Sequence, residues 1–246
     1  MSNGLPRADV PAAFDLGARA YDRLVGANPG YHEHLRLSAS RLRLPADGAG
    51  LRILDAGCGT GASTAALLKV APRAEIVAFD ASGEMLAQAR AKGFPPSVRF
   101  VHSSLEELGT AELEGPFDAV LAAYLIRNLA DPDAGLVVLR DLLRPGGRLA
   151  VHEYSVADSR RARLVWDAVC WSIIIPAGRI ATGDAALYRH LWQSVRHFDG
   201  ARAFRQRLVA AGFEQVEAGA VPGWQRGVAH TFTGVRPDPA HLREAP

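Results

Sequence analysis

Cysteine is scarce: Cys58 and Cys170 are the only two in 246 residues. They show no C-x-x-C spacing and cannot build a disulfide framework, which fits a reducing, cytoplasmic compartment. Lysine is equally rare, Lys69 and Lys92 alone, so nearly all positive charge is arginine, scattered among acids. With 28 basic against 26 acidic residues the net charge is +2, too weak a field to imply nucleic acid or an acidic partner. No basic stripe with interleaved aromatics is present, which argues further against nucleic acid. The longest apolar run, Leu164 to Ile175, contains Asp167 and stops at Pro176. It is well short of the ~20 residues a membrane span needs, so a buried or interfacial helix is expected. The first residues, MSNGLPRADVPAAF, lack an apolar h-region, so no signal peptide is expected. His32 and His34 form an H-x-H with no third ligand in view and read as surface or lid residues, not as a metal site.

What the chain does have is ordinary globular composition, 48% apolar and 22% charged. Its length fits one domain with helical additions, at roughly 150 residues per domain. Residues 1–47 read as an amphipathic helical cap with a break at Pro29-Gly30. From Leu51 short apolar strands alternate with helices: LRILDAGC, EIVAFD, SVRFVHSS, FDAVLAAYLI and GRLAVHEYS are separated by helical stretches. Ser82 is the expected N-cap of SGEMLAQARAKG, with Gly93 its stop. DPDAGLVVLRDLLRPGG starts at a proline and ends at glycines. Residues 156–198 are helical in pattern, after which FEQVEAGAV and GVAHTFTGVR supply two more strands, the last with antiparallel-type alternation. The expected fold is α/β: a Rossmann-like, seven-stranded, mostly parallel sheet with an antiparallel last strand and helices on both faces. Extra helices lie at the N-terminus and after strand five. Residues 48–246 form the main domain, with 156–198 as its helical insertion.

Asp55-Ala56-Gly57-Cys58-Gly59-Thr60-Gly61 sits between the first strand and a helix. Glycines there allow a sharp turn and close approach of a ligand to the main chain. Asp80 ends the second strand, where a carboxylate can accept from both hydroxyls of a ribose. A tight turn without ligand is the bland alternative. Together the loop, the helix and two acids point to an adenosine-type ligand. A pyrophosphate would be repelled by Asp55, whereas an ammonium or sulfonium would be attracted. The loop therefore suits S-adenosylmethionine (SAM) better than NAD.

DAGCGTG, FDAS and LRPGGRLAVHEYS resemble the motifs of class I SAM-dependent methyltransferases. The resemblance implies that Gly57, Gly59 and Gly61 serve the methionine part of SAM, together with Asp55. It gives the ribose to Asp80 and the adenine to Ala81, Met85, Ser104 and Leu105, with S-adenosylhomocysteine as the product. YDRL…PGYHEHL, AAYLIRNLAD and PAGRIATGDAALYRHLWQSVRHF resemble more narrowly the ubiquinone/menaquinone biosynthesis C-methyltransferases. That resemblance implies C-methylation of a quinone-like ring, with Tyr21 either closing over SAM or packing in the core, and Glu153 structural. Leu35, Tyr124, Leu125, His152 and Tyr154 depart from the family's usual residues, so a specialised-metabolite ring or enol is also in play.

Carbon methylation requires the acceptor to lose a proton, which for a phenol of pKa ~10 costs about 4 kcal/mol near neutrality. Arg127 and Asn128, just past strand four, are candidates to bind the developing oxyanion, or Arg127 pairs with Asp131 or Asp133. His152 is a candidate base or a hydrogen-bonded strand-end histidine, and Tyr124 shapes the pocket or simply packs. The Leu164–Ile175 run reads as core, as a greasy substrate wall or as a transient membrane contact. Pro222-Gly223-Trp224 reads as a pocket edge or a homodimer contact. The expected partner is a hydrophobic small molecule. A small-molecule O- or N-methyltransferase of specialised metabolism, a non-catalytic SAM-binding protein and a nicotinamide oxidoreductase are the competing readings.

Overall fold

Near-continuous apolar strands must be covered on both faces, and the chain does this with one sheet between two helical layers. The computed structural model describes residues 25–107 and 115–239, together with Ala12, Asp15 and Asp22. The strands are β1 (Arg52–Ala56), β2 (Glu75–Asp80), β3 (Val98–His102), β4 (Phe117–Ala123), β5 (Leu143–Tyr154), β6 (Glu214–Ala220) and β7 (Ala229–Val235). They run in the order 3-2-1-4-5-7-6. The first five are parallel, and β7 is antiparallel to both β5 and β6. The expected Rossmann-like sheet with an antiparallel last strand is the observed one.

The helices are α1 (Tyr31–Ser40), α2 (Ala62–Val70), α3 (Gly83–Arg90), α4 (Pro132–Leu142), α5 (Arg160–Val169), α6 (Ile175–Thr182), α7 (Ala186–His197) and α8 (Ala201–Ala210). Alternate strand residues face opposite layers. Leu54, Val77 and Val120 pack with Leu136 and Leu139 of α4 and Phe204 and Leu208 of α8. Ile53, Ile76 and Leu121 pack with Leu35 and Ala39 of α1 and Leu67 of α2. Each such fully buried aliphatic side chain contributes about 1.5–3 kcal/mol.

Capping follows the sequence closely. The Ser82 hydroxyl accepts from the Met85 amide, 3.1 Å away, and Asp131 accepts from the amides of Asp133 and Ala134, both at 3.0 Å. Two boundaries differ from expectation. The fourth helix stops at Leu142, before Gly146-Gly147, because Leu143 already pairs with Phe117 as the start of β5. The apolar helix does not end at Pro176. A π-helical turn over Cys170–Ile174 joins α5 to α6, and Pro176 falls in the first turn of α6, where a missing N–H is tolerated. The result is one helix, Arg160–Thr182, of 23 residues, whose most apolar 18-residue window has a mean hydropathy of 1.4, long and apolar enough by those measures to cross a membrane.

The helices after β5 close over the carboxyl ends of the strands, where ligands bind in such sheets. Their packing relies on Gly178, where a Cβ would overlap the Tyr188 ring. Alanine in a helix interior normally gains about 1 kcal/mol over glycine, but overpacking costs about 1–3 kcal/mol. Gly178→Ala is therefore expected to lower Tm, and a thermal melt at or above the wild-type value would contradict this packing.

Candidate active site

A cavity of about 850 Å3 opens at the carboxyl ends of β1, β2, β4 and β5. It lies at the point where the strand order reverses between β1 and β4. One end is formed by the glycine loop, Asp80, Ala81, Met85, Ser104 and Leu105. Gly57 has φ +71°, and a Cβ on it would press on Leu125, so only glycine lets the chain turn here without a clash. The Gly59 amide donates to Asp80 Oδ2 at 2.8 Å and the Ser82 amide to Oδ1 at 2.9 Å. These two bonds aim the carboxylate while leaving each oxygen further lone pairs. Burial raises the Asp80 pKa, and the two amide bonds oppose that rise. Ser104 is already engaged with Glu107: its hydroxyl donates to Oε2 at 3.0 Å and accepts from the Glu107 amide at 3.2 Å.

Asp55 and Gly61, expected to touch a ligand directly, are off the cavity wall. Asp55 is fully buried behind the loop. Its Oδ2 accepts from the hydroxyls of Ser63 (2.9 Å) and Thr64 (2.6 Å), so it ties β1 to the first turn of α2. Its Oδ1 has no partner among the described residues, and burial pushes its pKa up to about 7, against the pull of the two hydroxyls. Gly61, at φ +86°, is the N-cap of α2 and abuts Phe94. Tyr21 lies outside the described residues.

Two acids that sequence reasoning passed over reach this end of the site. Asp22 accepts the Thr60 hydroxyl and pairs with Lys92 at 2.6 Å, while Lys92 also donates to the Thr60 carbonyl at 2.7 Å. Asp15 accepts the Ser82 hydroxyl. The proximity of Asp22 to Tyr21 in YDRL was the available signal.

The other end is aromatic and apolar. Tyr31, Tyr124 and Tyr154 line it, with Tyr31 and Tyr124 stacked at 5.9 Å and 9° and Tyr154 tilted against Tyr124 at 4.7 Å. Flat faces of this kind suit a planar ring. Trp224 also lines the cavity, which puts this residue at the pocket edge.

Tyr124 sits at φ +58°, a left-handed conformation that costs a non-glycine residue of order 1–3 kcal/mol. Its neighbours hold it there. Its amide donates to the His152 carbonyl at 2.8 Å. Its carbonyl accepts from Arg127 Nη1 and Asn128 Nδ2, both at 3.0 Å. Arg127 Nη1 also donates to Glu153 Oε1 at 2.6 Å, in an ion pair almost wholly shielded from water. The Arg127 partner is thus Glu153 rather than Asp131, which caps α4, or Asp133, which pairs with Arg207 at 2.6 Å. Arg127 and Asn128 border the cavity; Arg127 Nη1 and Asn128 Nδ2 hold the Tyr124 main chain, while Arg127 Nε has no partner among the described residues. Burial raises the Glu153 pKa, with Arg127 pulling it down.

His152 is fully buried and does not reach the cavity, so it cannot touch an acceptor directly, as a base would have to. Its Nδ1 is 2.9 Å from Ser38 Oγ and its Nε2 is 3.0 Å from the Tyr124 hydroxyl. Ser38 Oγ also lies 2.7 Å from Thr231 Oγ1, which can donate to it, and 2.9 Å from the His34 carbonyl, which takes the one Ser38 proton. His152 Nδ1–H therefore donates to Ser38, and Nε2 accepts from Tyr124. Burial pushes the His152 pKa down to about 3, so the imidazole is neutral. The Tyr124 phenol is held well above its ordinary value by burial and is neutral too. His34, expected at a surface or lid, is buried and shares hydrogen bonds with Gln225 (Nδ1 to Oε1, 3.0 Å) and the Pro222 carbonyl (3.1 Å). Among the described residues no cluster of three or more His, Cys, Asp or Glu is placed to hold a metal.

The residues fit a cationic adenosine compound. The glycine end offers a close main-chain approach, a pinned carboxylate and a second buried carboxylate with an unpartnered oxygen. Among the described residues Arg127 is the sole Lys or Arg lining the cavity, and it is already paired. A pyrophosphate would find no free cation there.

Comparison with known proteins points the same way. A model described as the ubiE/COQ5 methyltransferase family matches residues 7–236. The chain is 31% identical over 239 residues to the demethylmenaquinone methyltransferase of Clavibacter sepedonicus, covering 96% of this chain and 94% of that protein. It is 34% identical over 173 residues to the ubiquinone/menaquinone biosynthesis C-methyltransferase UbiE of Shewanella sp. (strain ANA-3), covering 68% of each. Its fold is similar to that of magnesium protoporphyrin IX methyltransferase from Synechocystis PCC 6803 solved with bound SAM, with a TM-score of 0.65 at 18% identity over 96% of this chain and 100% of that one. At that identity the likeness concerns the fold alone.

His152 and Asp55 make stability depend on pH in opposite senses. The unfolded chain binds a proton on His152 below its ordinary value of 6.5, but the folded chain does so only near 3. Stability from this residue is lost as pH falls through that window. Folded Asp55 keeps a proton up to about 7 against an ordinary 3.8, so its contribution is lost as pH rises from 3.8 to 7. Urea unfolding across pH 4 to 8 checks both. His152→Gln should flatten the acid-side slope, and Asp55→Asn should make stability fall less toward neutrality.

Proposed function

The chain belongs to the ubiE/COQ5 methyltransferase family, and from that premise we propose that it methylates a ring carbon of a flat, hydrophobic quinol, phenol or enol. It is a SAM-dependent methyltransferase. The observation that carries the acceptor class is the two-ended cavity, acid-lined at the glycine loop and walled by stacked tyrosines and aliphatic side chains at the other end. We read residues 1–47 as a cap and 156–198 as a substrate-side insertion, because Tyr31 from the first and Leu187 from the second both line the cavity. The free cysteines suit a cytoplasmic enzyme.

When bound, SAM supplies an electrophilic methyl group on a positively charged sulfur that leaves neutral, as S-adenosylhomocysteine. Asp80 would hold its ribose, Gly57 and Gly59 would present main chain to its methionine part, and Ala81, Met85, Ser104 and Leu105 would flank its adenine. Tyr21 is read as a lid residue. Asp55 acts from behind the loop, by shaping the first turn of α2 and by its field. The chain's remaining task is alignment and exclusion of water, for which the tyrosine wall is suited.

Tyr124 is the residue we assign to the acceptor. Its proton is committed to His152 and one side of its oxygen meets the Tyr154 side chain, which leaves a lone pair to accept from an acceptor hydroxyl and fix the ring's orientation. His152 is a positioning residue. Holding a full proton at a site of pKa about 3 near neutrality costs roughly 5 kcal/mol at 1.36 kcal/mol per unit, so it is too weak to be a resting base. The acceptor must then bring acidity of its own, as a conjugated enol or a hydroquinone does. Arg127 and Asn128 support the strained Tyr124 turn, and the Arg127 guanidinium lies 5.6 Å from the Tyr124 ring centre.

Methyl-labelled SAM incubated with a short-tailed naphthoquinol and with simple phenols tests the reading. Label on a ring carbon is expected, and label on oxygen or nitrogen instead would select a tailoring methyltransferase of another kind. Asp80→Ala should weaken SAM binding by about 1–3 kcal/mol through lost charge-assisted bonds, measured calorimetrically. Tyr124→Phe should leave SAM affinity intact and lower turnover roughly ten- to a hundred-fold, the worth of one hydrogen bond to a buried group. Equal loss of both would make Tyr124 structural.

A further inference from the structure

Four of the six large hydrophobic side chains exposed among the described residues sit on one helix, Arg160–Thr182: Leu164, Trp171, Ile173 and Ile180. Leu164 is 69% and Ile180 87% exposed, far more than a core helix leaves in water. Leu164, Ala168, Trp171, Pro176 and Ile180 follow each other along its outer side at three- to five-residue steps, the longest across the π turn, and all are exposed. The inner side packs through Trp166, Cys170 and Ile175. The one acidic residue of the helix, Asp167, is turned away from the outer side, accepting from Trp192 Nε1 at 2.8 Å and Arg196 Nη1 at 2.6 Å. Arg160, Arg161 and Arg179 stand exposed at the two ends and join none of the ion pairs among the described residues.

The same helix walls the cavity. Val165, Val169 and Ile174 line it from within. Ile173 both lines it and is exposed to solvent, so apolar side chains of this one helix reach from the cavity to the outer surface. Trp171, packed edge-on against Trp192 at 5.4 Å, stands beside that rim.

We propose that the outer face of Arg160–Thr182 docks flat on an anionic lipid bilayer and that the acceptor enters the cavity from the lipid at the Ile173 rim. The proposal rests on the reading of the apolar end as the acceptor site. An apolar face with a tryptophan and flanking arginines, free of acids, is the make-up of a helix that lies in a membrane interface. Both ends are built into the fold, Ser159 capping the start and Gly183 closing the end in a left-handed turn, which favours lying on the bilayer over spanning it. A second copy of the chain is the poorer occupant. A two-fold contact through this face, in either helix direction, would bring arginine clusters together.

Vesicle co-sedimentation of the full chain tests this without any methyl transfer. Binding to phosphatidylglycerol-containing vesicles is expected, at least tenfold weaker to pure phosphatidylcholine and weakened by salt. The double substitution Leu164→Glu, Ile180→Glu should reduce binding at least tenfold, and Arg160→Ser, Arg161→Ser should reduce it several-fold. Both variants should keep the wild-type melting temperature and wild-type turnover on a water-soluble acceptor, since none of these side chains lines the cavity. Absence of binding to anionic vesicles, or equal binding by the glutamate variant, overturns the proposal. So does a wild-type dimer in sedimentation that the glutamate variant abolishes. A ring-carbon methyl product alongside failed vesicle binding would sink the docking surface and leave the proposed reaction standing.

Discussion

The site depends on one strained turn at the end of β4. Tyr124 occupies a backbone conformation that its side chain disfavours, and a dense set of bonds keeps it there. The His152 carbonyl accepts the Tyr124 amide as the last bond of the β4–β5 ladder. Arg127 and Asn128 then clamp the Tyr124 carbonyl, and Glu153 anchors Arg127. Because the turn is held from both main-chain directions, the tyrosine ring stands across the cavity between Tyr31 and Tyr154 instead of following the strand. Strain of this kind persists only where the surroundings over-determine it, and here the surroundings are two adjacent strand ends and the turn that follows one of them.

Charge is distributed to match. Carboxylates gather around the glycine loop, two from the strands and two from the N-terminal residues, and the nearest lysine is spent on Asp22. At the aromatic end the guanidinium of Arg127 is neutralised by Glu153, and the Tyr124–His152 pair carries no charge. A cationic donor is therefore drawn to one end and a neutral ring is accommodated at the other, within one partly enclosed cavity where electrostatic attraction is less screened than in bulk solution. The helix after β5 completes that volume and at the same time turns an apolar face outward, so that one element serves both the cavity and the surface.

Much of this was readable from residue order. The strand pattern, the glycine loop, the acid at the end of β2, the cap at Ser82 and the helical insertion are local features, set by neighbours in sequence and by side-chain periodicity. Most of the departures come from contacts between residues far apart in the chain. The alternative to an oxyanion role for Arg127 was an ion pair with acids a few residues away, but its partner is Glu153, 26 residues on, brought alongside by the pairing of Ala123 with His152. His152 looked like a base because histidine titrates near neutrality, but Ser38 and Thr231, from the two ends of the chain, wall it off. His34 looked exposed beside His32, yet Gln225 and Pro222 bury it. Pro176 looked like a helix stop, and the π turn before it absorbed the break.

The sequence by itself determined the reaction class, because a donor-binding loop is a contiguous run whose glycines and acids act through their own backbone and immediate neighbours. Only the tertiary structure decided which polar side chains face the acceptor and which are consumed in supporting it. Burial, tautomer and ion pairing depend on groups far apart in the chain, and a residue's chemistry is settled by what the fold places against it.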